Sequence, residues 1–298
     1  MISRTGNGNG HAAGHALVSD EVAFGYPRDF LQNQFVYLVI SPRAHGLSVG
    51  INMNPVLRCD FQCLYCEIDR NAPPRAQQMD LGTMTNELGA TLAMAYANRL
   101  KELPRYARLP AELLQMRHVV LSGDGEPTMA NNFAEVVKSV VSIRTTGAFP
   151  FFKIVLTTNS TTLDRPEVQH GLRSLTDGDE IWAKLDGGTQ AYISRLNGAT
   201  ISIEKITSNI LWLARRRPVV IQSLFPAIDG QEPPEAEIEQ YALRLKRLKT
   251  EGAQISLVQV YSATRPMART GCGHLPLRTL SKIARTVRDV AGLRAEVF

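Results

Sequence analysis

The sequence predicts an α/β fold in which parallel strands alternate with helices, and three observations lead to this prediction. Short runs rich in Val, Ile and Leu recur from residue 35 onward. Most of these runs are nearly continuous in apolar residues, as expected for parallel strands with helices packed on both faces. Helical patterns separate the runs. With the first run set aside as a leader, six strands alternate with six helices, which is typical of a wound sheet or a barrel.

The predicted elements follow one another from residue 35 onward. We place strands at 35–40, 47–52, 118–122, 151–157, 180–186, 218–225 and 255–261. We place helices at 83–101, 131–144, 165–175, 203–216, 235–250 and 277–291. The same alternation continues past the polar tract 229–237, so we interpret this tract as a surface loop rather than as a linker between domains.

The N-terminal segment has a different composition. Residues 1–20 are rich in Gly, Asn, His and Ala and show no periodicity, so we predict a flexible, disordered tail. Residues 21–298 are predicted to form a single domain.

The bulk composition excludes several classes of protein. A chain of 298 residues with 44% hydrophobic and 20% charged residues can bury a substantial core. Its apolar runs are far shorter than the ~20 residues of a membrane helix, and residues 1–20 lack the apolar block of a signal peptide. We therefore expect a cytoplasmic protein without a membrane partner. A net charge of +5 permits a nucleic-acid partner but is also common in proteins that bind none.

Three of the four cysteines lie within eight positions, at Cys59, Cys63 and Cys66. In a chain of cytoplasmic character, such a cluster indicates metal binding or redox chemistry rather than disulfides. Three thiolates are one ligand short of a closed tetrahedral zinc site. The nearest further ligands in the sequence are His45, Cys272 and His274. A [4Fe–4S] cluster held by three cysteines would instead leave one iron open to another ligand.

Polar or glycine-rich segments follow four successive parallel strands. The cysteines follow the first of these strands, GDGEPT (123–128) the second, TNST (158–161) the third and DGGT (186–189) the fourth. Right-handed crossovers place the carboxyl ends of parallel strands at one edge of the sheet, where ligands of such folds bind. The sequence therefore predicts that these segments surround one site.

The loop Cys59-x3-Cys63-x2-Cys66, with Tyr65 before its last cysteine, resembles the signature loop of the radical SAM enzymes. The sequence around this loop resembles a bacterial branch of wyosine-synthase-like and activating-enzyme-like radical SAM proteins. The segments that carry this resemblance are GLSVGINMNPVLRCDFQCLYCEIDR, LSGDGEPT, TTNST, WAKLDGGT and AEVF. The resemblance covers residues 35–298 and implies a partial (β/α)6 TIM-like barrel. It also implies a [4Fe–4S] cluster and S-adenosylmethionine as cofactors, with the three cysteines as iron ligands.

The resemblance implies chemistry that the residues alone do not reveal. In these enzymes the open iron binds the amino and carboxylate groups of S-adenosylmethionine. The reduced cluster donates an electron, and the cofactor is cleaved to methionine and a 5′-deoxyadenosyl radical that abstracts hydrogen from a substrate. The protein orients the cofactor and excludes side reactions. An external electron donor such as flavodoxin or ferredoxin is implied, and the substrate is left open among an RNA nucleoside, a protein or peptide, and a small metabolite.

The resemblance and the strand ends together give a set of candidate cofactor-binding residues. They are Tyr65, Gly123, Gly125, Glu126, Asn159, Lys184 and Asp186. Gly125 and Glu126 take the place of the family's motif for the methionyl amino group, where glycine allows close approach of a ligand; alternatively they form a turn before a helix that starts at Pro127. We expect Gly125→Val to weaken S-adenosylmethionine binding and to leave the cluster intact, because the cysteines lie on another loop.

The other candidates each have a structural alternative. Asn159 suits ribose hydroxyls but also suits a turn or a helix cap. Lys184 and Asp186 share one face of a strand, where they either contact a ligand or neutralise each other. Gln222 and Gln259 are polar residues in apolar strands and are candidates for the same interior.

Two further segments are assigned to the surface. The basic run 214–218 ends a helix, where cations complement the helix dipole. The segment GCGH, 271–274, is interpreted as a surface loop.

The competing functional hypothesis is a non-catalytic iron–sulfur or zinc protein acting as a scaffold or sensor. The polar segments at the strand ends favour the enzyme, because a protein that only binds a structural metal would not need them.

Overall fold

The computed structural model describes residues 30–298 except residues 75, 264–266 and 268–270. The predicted tail 1–20 lies outside the described residues, as do residues 21–29 of the predicted domain. The strands are β1 (Val36–Ser41), β2 (Gly46–Asn52), β3 (Met116–Ser122), β4 (Lys153–Thr158), β5 (Glu180–Lys184), β6 (Val219–Leu224), β7 (Ala227–Ile228), β8 (Ile255–Tyr261), β9 (Cys272–Gly273) and β10 (Ala295–Val297). The helices are α1 (Leu81–Tyr96), α2 (Phe133–Thr145), α3 (Pro166–Leu172), α4 (Gln190–Asn197), α5 (Ile203–Ala214), α6 (Glu235–Thr250) and α7 (Leu277–Ala291).

The main sheet has eight strands in the order β1-β2-β3-β4-β5-β6-β8-β10 within the described residues. β1 pairs with β2 in antiparallel orientation, and the remaining pairs of this sheet are parallel. β2 to β6 and β8 are the six predicted parallel strands, and β1 is the predicted leader. The predicted α/β fold is therefore confirmed. β7 and β9 form a small antiparallel pair outside this sheet.

The main sheet curls so that its two edges approach each other. The ring of His45, between β1 and β2, lies 6.1 Å from the ring of Phe298, which follows β10. The guanidinium carbon of Arg43 lies 4.2 Å from the centre of the Tyr261 ring at the end of β8. No ladder of hydrogen bonds joins β1 to β10 in the described part of the chain. The sheet is therefore a partial barrel, as predicted.

Helices pack against the outer surface of this barrel, as α1 illustrates. Asp80 caps α1 by accepting a hydrogen bond from the amide of Thr83 at 2.7 Å. Met84, Leu88 and Leu92 follow at intervals of one helical turn, and all three are fully buried. Burial of each such side chain contributes about 1.5–3 kcal/mol. Among the helices of the described residues, none is long and apolar enough to cross a membrane.

A smaller apolar cluster fills part of the barrel interior. Val155, Trp182 and Val220 are buried together on β4, β5 and β6. Two residues further along β5 and β6, Lys184 and Gln222 lie in register. The polar residues of the interior therefore lie on the carboxyl side of this apolar cluster, toward the predicted site.

Several elements differ from the sequence-based prediction, including the two-residue strands β7 and β9, which were not predicted. α1 ends at Tyr96 rather than at residue 101, because Asn98 adopts a left-handed backbone with a φ of 57°. A short 3-10 helix, Arg99–Glu102, follows. α4 and β10 were not predicted, since segments of 8 and 3 residues are too short to give a clear periodic pattern.

The basic run 214–218 lies at a helix end, as predicted. α5 ends at Ala214, and the three arginines that follow donate hydrogen bonds to backbone carbonyl oxygens. Arg216 bonds to a carbonyl of α5 itself, and Arg215 and Arg217 bond to carbonyls of other segments, so all three guanidinium groups have partners within the protein.

Candidate active site

A cavity of about 520 Å³ opens inside the curled sheet at the predicted site. Its volume lies in the range of pockets that hold a small molecule. The predicted residues that line it are Cys59, Cys63, Tyr65, Cys66, Gly123, Gly125, Glu126, Asn159 and Lys184. Asp186 lies behind the cavity wall, where it contacts Lys184. The four strand-end segments thus meet at one place, as the topology predicts.

The cysteine loop is fixed to the loop that follows β3. The side-chain amide of Asn54 donates to the carbonyl oxygens of Arg58 and Glu126 at 2.8 and 2.9 Å. The amides of Gly125 and Glu126 donate in turn to the carbonyl oxygens of Asn54 and Arg58, at 3.2 and 2.8 Å. Two of the chain segments that surround the cavity are therefore held together by backbone hydrogen bonds immediately before Cys59.

Gly125 allows this contact. A Cβ atom at position 125 would lie 2.7 Å from the amide nitrogen of Arg58 and closer still to its carbonyl oxygen. The sequence-based argument assigned the glycine to the approach of a ligand and treated the cysteine loop as independent. That argument was wrong on the second point, because the backbone of the cysteine loop occupies the space beside Gly125. Gly123 also packs inward, with Asn54 and Asn52 atoms 3.1 and 3.2 Å from a Cβ placed there.

Glu126 joins the ends of β3 and β4. Its carboxylate accepts hydrogen bonds from the amide and hydroxyl of Thr128 at 3.2 and 2.6 Å. The hydroxyl of Thr158 and the amide of Asn159 donate to it at 2.6 and 2.8 Å. Burial raises the pKa of Glu126, and these four donors partly oppose the shift. Because the donors all belong to the protein, Glu126 acts as an anchor for the loops around the cavity.

The side chain of Asn159 links the loop after β4 to the cysteine loop. Its amide nitrogen donates to Asp60 at 2.6 Å and lies 3.8 Å from the sulfur of Cys59. Its amide oxygen accepts from the amide and hydroxyl of Thr161, at 3.1 and 2.8 Å. The structure thus gives Asn159 a positioning role that the sequence-based alternatives did not include, and its contact with ribose stays a prediction.

Lys184 and Asp186 form a buried ion pair beside the cysteines. The ammonium nitrogen of Lys184 lies 3.3 Å from a carboxylate oxygen of Asp186 and 3.2 Å from the hydroxyl of Tyr261. Tyr65 donates its hydroxyl hydrogen to Asp186, and its ring centre lies 5.0 Å from the ammonium group. Burial lowers the pKa of Lys184, but Asp186, Tyr261 and Cys63 together more than offset this, and the pKa lies above its ordinary value. Lys184 is therefore a cation in the cavity wall, and the carboxylate of Asp186 behind the wall balances its charge.

The remaining sequence candidates divide between the cavity and the surface. Gln222 lines the cavity and donates to Gln259 on the neighbouring strand at 3.4 Å. The three candidates for a fourth metal ligand do not line the cavity: His45, Cys272 and His274. The predicted surface loop at 271–274 is in part strand β9, in which Cys272 pairs with Ile228 of β7.

Asn197, at the end of α4, is a site residue that the sequence did not predict. Its amide nitrogen lies 3.3 Å from the sulfur of Cys63, 3.0 Å from the hydroxyl of Tyr65 and 2.9 Å from Asp186. The signals were present in the sequence, since Thr189 caps the start of α4 and Gly198 follows its end with a φ of 57°. An eight-residue helix between them was overlooked.

α4 also supports the cysteine loop through its last carbonyl groups. The amides of Gln62 and Leu64 donate to the carbonyl oxygens of Asn197 and Leu196 at 2.6 and 2.8 Å. A Cβ at Gly198 would lie 2.9 Å from Cβ of Gln62, so a larger residue would separate the helix from the loop. The loop segment that contains Cys63 is therefore docked on a helix end.

His118 is a second residue of the site that the sequence did not predict, and it lines the cavity. It lies on β3, where its Nε2 is 2.9 Å from the hydroxyl of Ser48 and its ring packs edge-on against Trp182 at 5.5 Å. Burial lowers the pKa of His118 to about 4. The imidazole is therefore neutral at physiological pH.

The residues around the cysteines fit an iron–sulfur cluster. Each of the three cysteines is a partly buried residue that lines the cavity, and soft thiolate ligands suit such clusters. Burial lowers the pKa of Arg70, but Cys59 and Cys66 more than offset this and the pKa lies above its ordinary value, so the guanidinium complements thiolate charge. Burial raises the pKa of Cys63 to about 12, so metal binding must release a proton there. Within the described residues, no three His, Cys, Asp or Glu side chains are grouped closely enough to hold one metal ion.

Solved structures and a curated sequence resemble this chain. A radical SAM methyltransferase from Sphaerobacter thermophilus is 16% identical, with a TM-score of 0.60 over 88% of this chain and 68% of that one. A structure of TYW1 with a lysine-pyruvate adduct bound is 16% identical, with a TM-score of 0.52 over 91% and 80%. Streptococcus suis SuiB bound to S-adenosylmethionine is 14% identical, with a TM-score of 0.55 over 86% and 51%. These likenesses concern the fold.

A curated relative is the UPF0026 protein slr1464 of Synechocystis sp. (strain ATCC 27184 / PCC 6803 / Kazusa), which is 28% identical over 179 residues. The match spans 59% of this chain and 57% of that protein. The family model described as the Radical SAM superfamily matches residues 53–242, which is more than half of the chain and includes the three cysteines. This chain therefore belongs to the radical SAM superfamily.

Proposed function

We propose that this protein is a radical SAM enzyme in which Cys59, Cys63 and Cys66 hold a [4Fe–4S] cluster and leave one iron open for S-adenosylmethionine. Family membership implies an enzyme that uses S-adenosylmethionine and an iron–sulfur cluster. The observation that carries the finer assignment is the position of the three thiols on the wall of one cavity, beside the glycine-rich loop. When bound, the reduced cluster supplies the electron that cleaves S-adenosylmethionine to methionine and a 5′-deoxyadenosyl radical, which abstracts hydrogen from the substrate.

The chain's own residues position the cofactors in this proposal. Asn54 and Gly125 hold the cysteine loop against the loop after β3. Glu126 joins the ends of β3 and β4, and Asn159 ties the end of β4 to the cysteine loop. These hydrogen bonds restrict the loops that would hold the cofactors, which lowers the entropic cost of binding.

Lys184 supplies a cation on the cavity wall, where it can bind a carboxylate or ribose oxygen of a ligand. The structure of TYW1 carries a lysine-pyruvate adduct, and formation of such an adduct needs a neutral amine. Asp186 raises the pKa of Lys184 and so keeps it protonated, which disfavours an adduct at this position. We therefore assign Lys184 to binding rather than to covalent catalysis.

The substrate, the electron donor and the cellular location complete the proposal. Flavodoxin or ferredoxin is the expected class of donor, in the cytoplasm, and the substrate is an RNA nucleoside, a protein or peptide, or a small metabolite.

Metal analysis combined with a cleavage assay tests the proposed function. After anaerobic reconstitution we expect about four irons and four sulfides per chain, together with 5′-deoxyadenosine when dithionite and S-adenosylmethionine are added. Stoichiometric zinc without iron, and no 5′-deoxyadenosine, would instead support the scaffold or sensor.

A further inference from the structure

The side-chain amide of Asn197 joins the cysteine loop to the buried ion pair. Its nitrogen lies within 3.3 Å of three acceptors, which belong to Cys63, Tyr65 and Asp186. Asn197 is only 1% exposed, so water cannot replace these contacts. An amide nitrogen carries two hydrogens. Three acceptors therefore compete for two hydrogens, and the two with the greatest negative charge are favoured. These are the carboxylate of Asp186 and, when it ligates a cluster as a thiolate, the sulfur of Cys63.

The local backbone increases the need for a donor at this sulfur. The C-terminus of α4 faces the cysteine loop and presents the carbonyl groups of Leu196 and Asn197 to it. The negative end of a helix dipole disfavours additional negative charge nearby. A one-electron reduction of a cluster bound to Cys63 would add such charge, and the N–H group of Asn197 is directed at the sulfur from the same helix end.

We propose that Asn197 donates a hydrogen bond to the sulfur of Cys63 when Cys63 ligates the cluster, and that this bond raises the reduction potential of the cluster. The inference rests on the proposed function, because it requires an iron–sulfur cluster at Cys63. Hydrogen bonds to cluster sulfurs stabilise the more negative, reduced state and are among the factors that set the potential. Asn197 is thus a positioning residue that makes the cluster easier to reduce.

The contacts at the other two cysteines differ from this one. The amide of Asn159 is 3.8 Å from Cys59 and already has a shorter contact of 2.6 Å with Asp60. Arg70 lines the cavity together with Cys59 and Cys66 and lies only four residues after Cys66 in the chain. Asn197 is the donor to Cys63 from outside that loop, so its removal changes a sulfur contact without altering the loop sequence.

The test compares the midpoint potentials of reconstituted wild-type protein and two variants. Asn197→Leu removes the donor and keeps a similar shape, and Asn197→Ala removes the side chain. We expect the midpoint potential to be lower by ~59 mV in both variants. For transfer of one electron, this shift lowers the ratio of reduced to oxidised cluster about tenfold at a fixed solution potential. The readout is the EPR signal of the reduced cluster in a dye-mediated titration. Ser194→Ala is the matched control, since Ser194 lies one turn earlier on α4 and bonds to the carbonyl of Ala199.

Each outcome has a distinct meaning. Unchanged potentials in folded, cluster-loaded variants would overturn the inference. Failure of both variants to bind iron, when the Ser194→Ala protein binds it, would also overturn it and give Asn197 a structural role. Absence of a cluster from the wild-type protein would contradict the proposed function instead, so the two failures are distinguishable.

Discussion

Gly125 lies directly against the backbone of Arg58, the residue that precedes the first cysteine. A Cβ atom at position 125 would overlap with the amide nitrogen and carbonyl oxygen of Arg58. The glycine-rich loop and the cysteine loop are therefore packed as one unit. A change in either loop is expected to affect the metal site as well as the S-adenosylmethionine site.

Gly125→Ala is expected to reduce cluster uptake as well as S-adenosylmethionine binding. The added methyl group must displace the Arg58 backbone, and overpacking of this kind costs about 1–3 kcal/mol. The measurements are the thermal stability of the apoprotein and the iron content after reconstitution. Gly89→Ala in α1 is the control: a Cβ there meets no atom within 4 Å, so we expect a gain of about 1 kcal/mol and normal iron content. Full iron content in the Gly125→Ala protein would refute the packing argument.

Replacement of any one of Cys59, Cys63 and Cys66 by Ala is expected to abolish the iron–sulfur charge-transfer absorbance after anaerobic reconstitution. Cys272→Ala should leave that absorbance unchanged, because Cys272 lies on β9 and does not line the cavity. A normal spectrum in the Cys66→Ala protein, or a lost spectrum in the Cys272→Ala protein, would show that the ligand set is wrong.

Lys184→Met is expected to destabilise the protein by about 3–5 kcal/mol, since it leaves the buried carboxylate of Asp186 without its cation. The measurement is denaturant unfolding of the apoprotein at neutral pH. Lys153→Met is the matched control, because Lys153 pairs with Glu180 at a half-exposed position and such pairs contribute about 0–1 kcal/mol. Similar losses in the two variants would contradict a special role for the buried pair.

His118 is expected to make the apoprotein less stable in mild acid. Its pKa is lowered to about 4 in the folded protein, against about 6.5 in the unfolded chain. The unfolded chain therefore binds the proton first, and stability is lost as pH falls from about 6.5 towards 4. The loss attributable to His118 between pH 7 and pH 5 is about 2 kcal/mol.

Replacement by a residue that does not titrate tests this assignment. His118→Gln should flatten the dependence of the unfolding free energy on pH between 7 and 5, whatever its effect on stability at pH 7. An equally steep pH dependence in this variant would assign the acid sensitivity to other groups.

The sequence predicts the parallel strands correctly, because strands covered on both faces leave nearly continuous apolar runs such as HVVLS in β3. It also locates the site, since topology alone brings the ends of those strands together. α4 was missed because eight residues give only two turns of pattern, and Asn197 was missed with it.

The partners of individual side chains were less accessible from the sequence. Spacing does not show which atom approaches a glycine, so the contact between Gly125 and Arg58 required coordinates. His118 directly precedes the apolar residues of β3, and the sequence gives no sign that its ring faces a cavity.

EPR spectroscopy of the reduced protein with and without S-adenosylmethionine tests the central claim most directly. If one iron of a cluster held by Cys59, Cys63 and Cys66 is open, S-adenosylmethionine should bind to it and change the g values of the reduced cluster. We expect such a change in the wild-type protein. A reduced cluster whose spectrum is unaffected by S-adenosylmethionine, or a protein that binds zinc and shows no signal, would contradict the account.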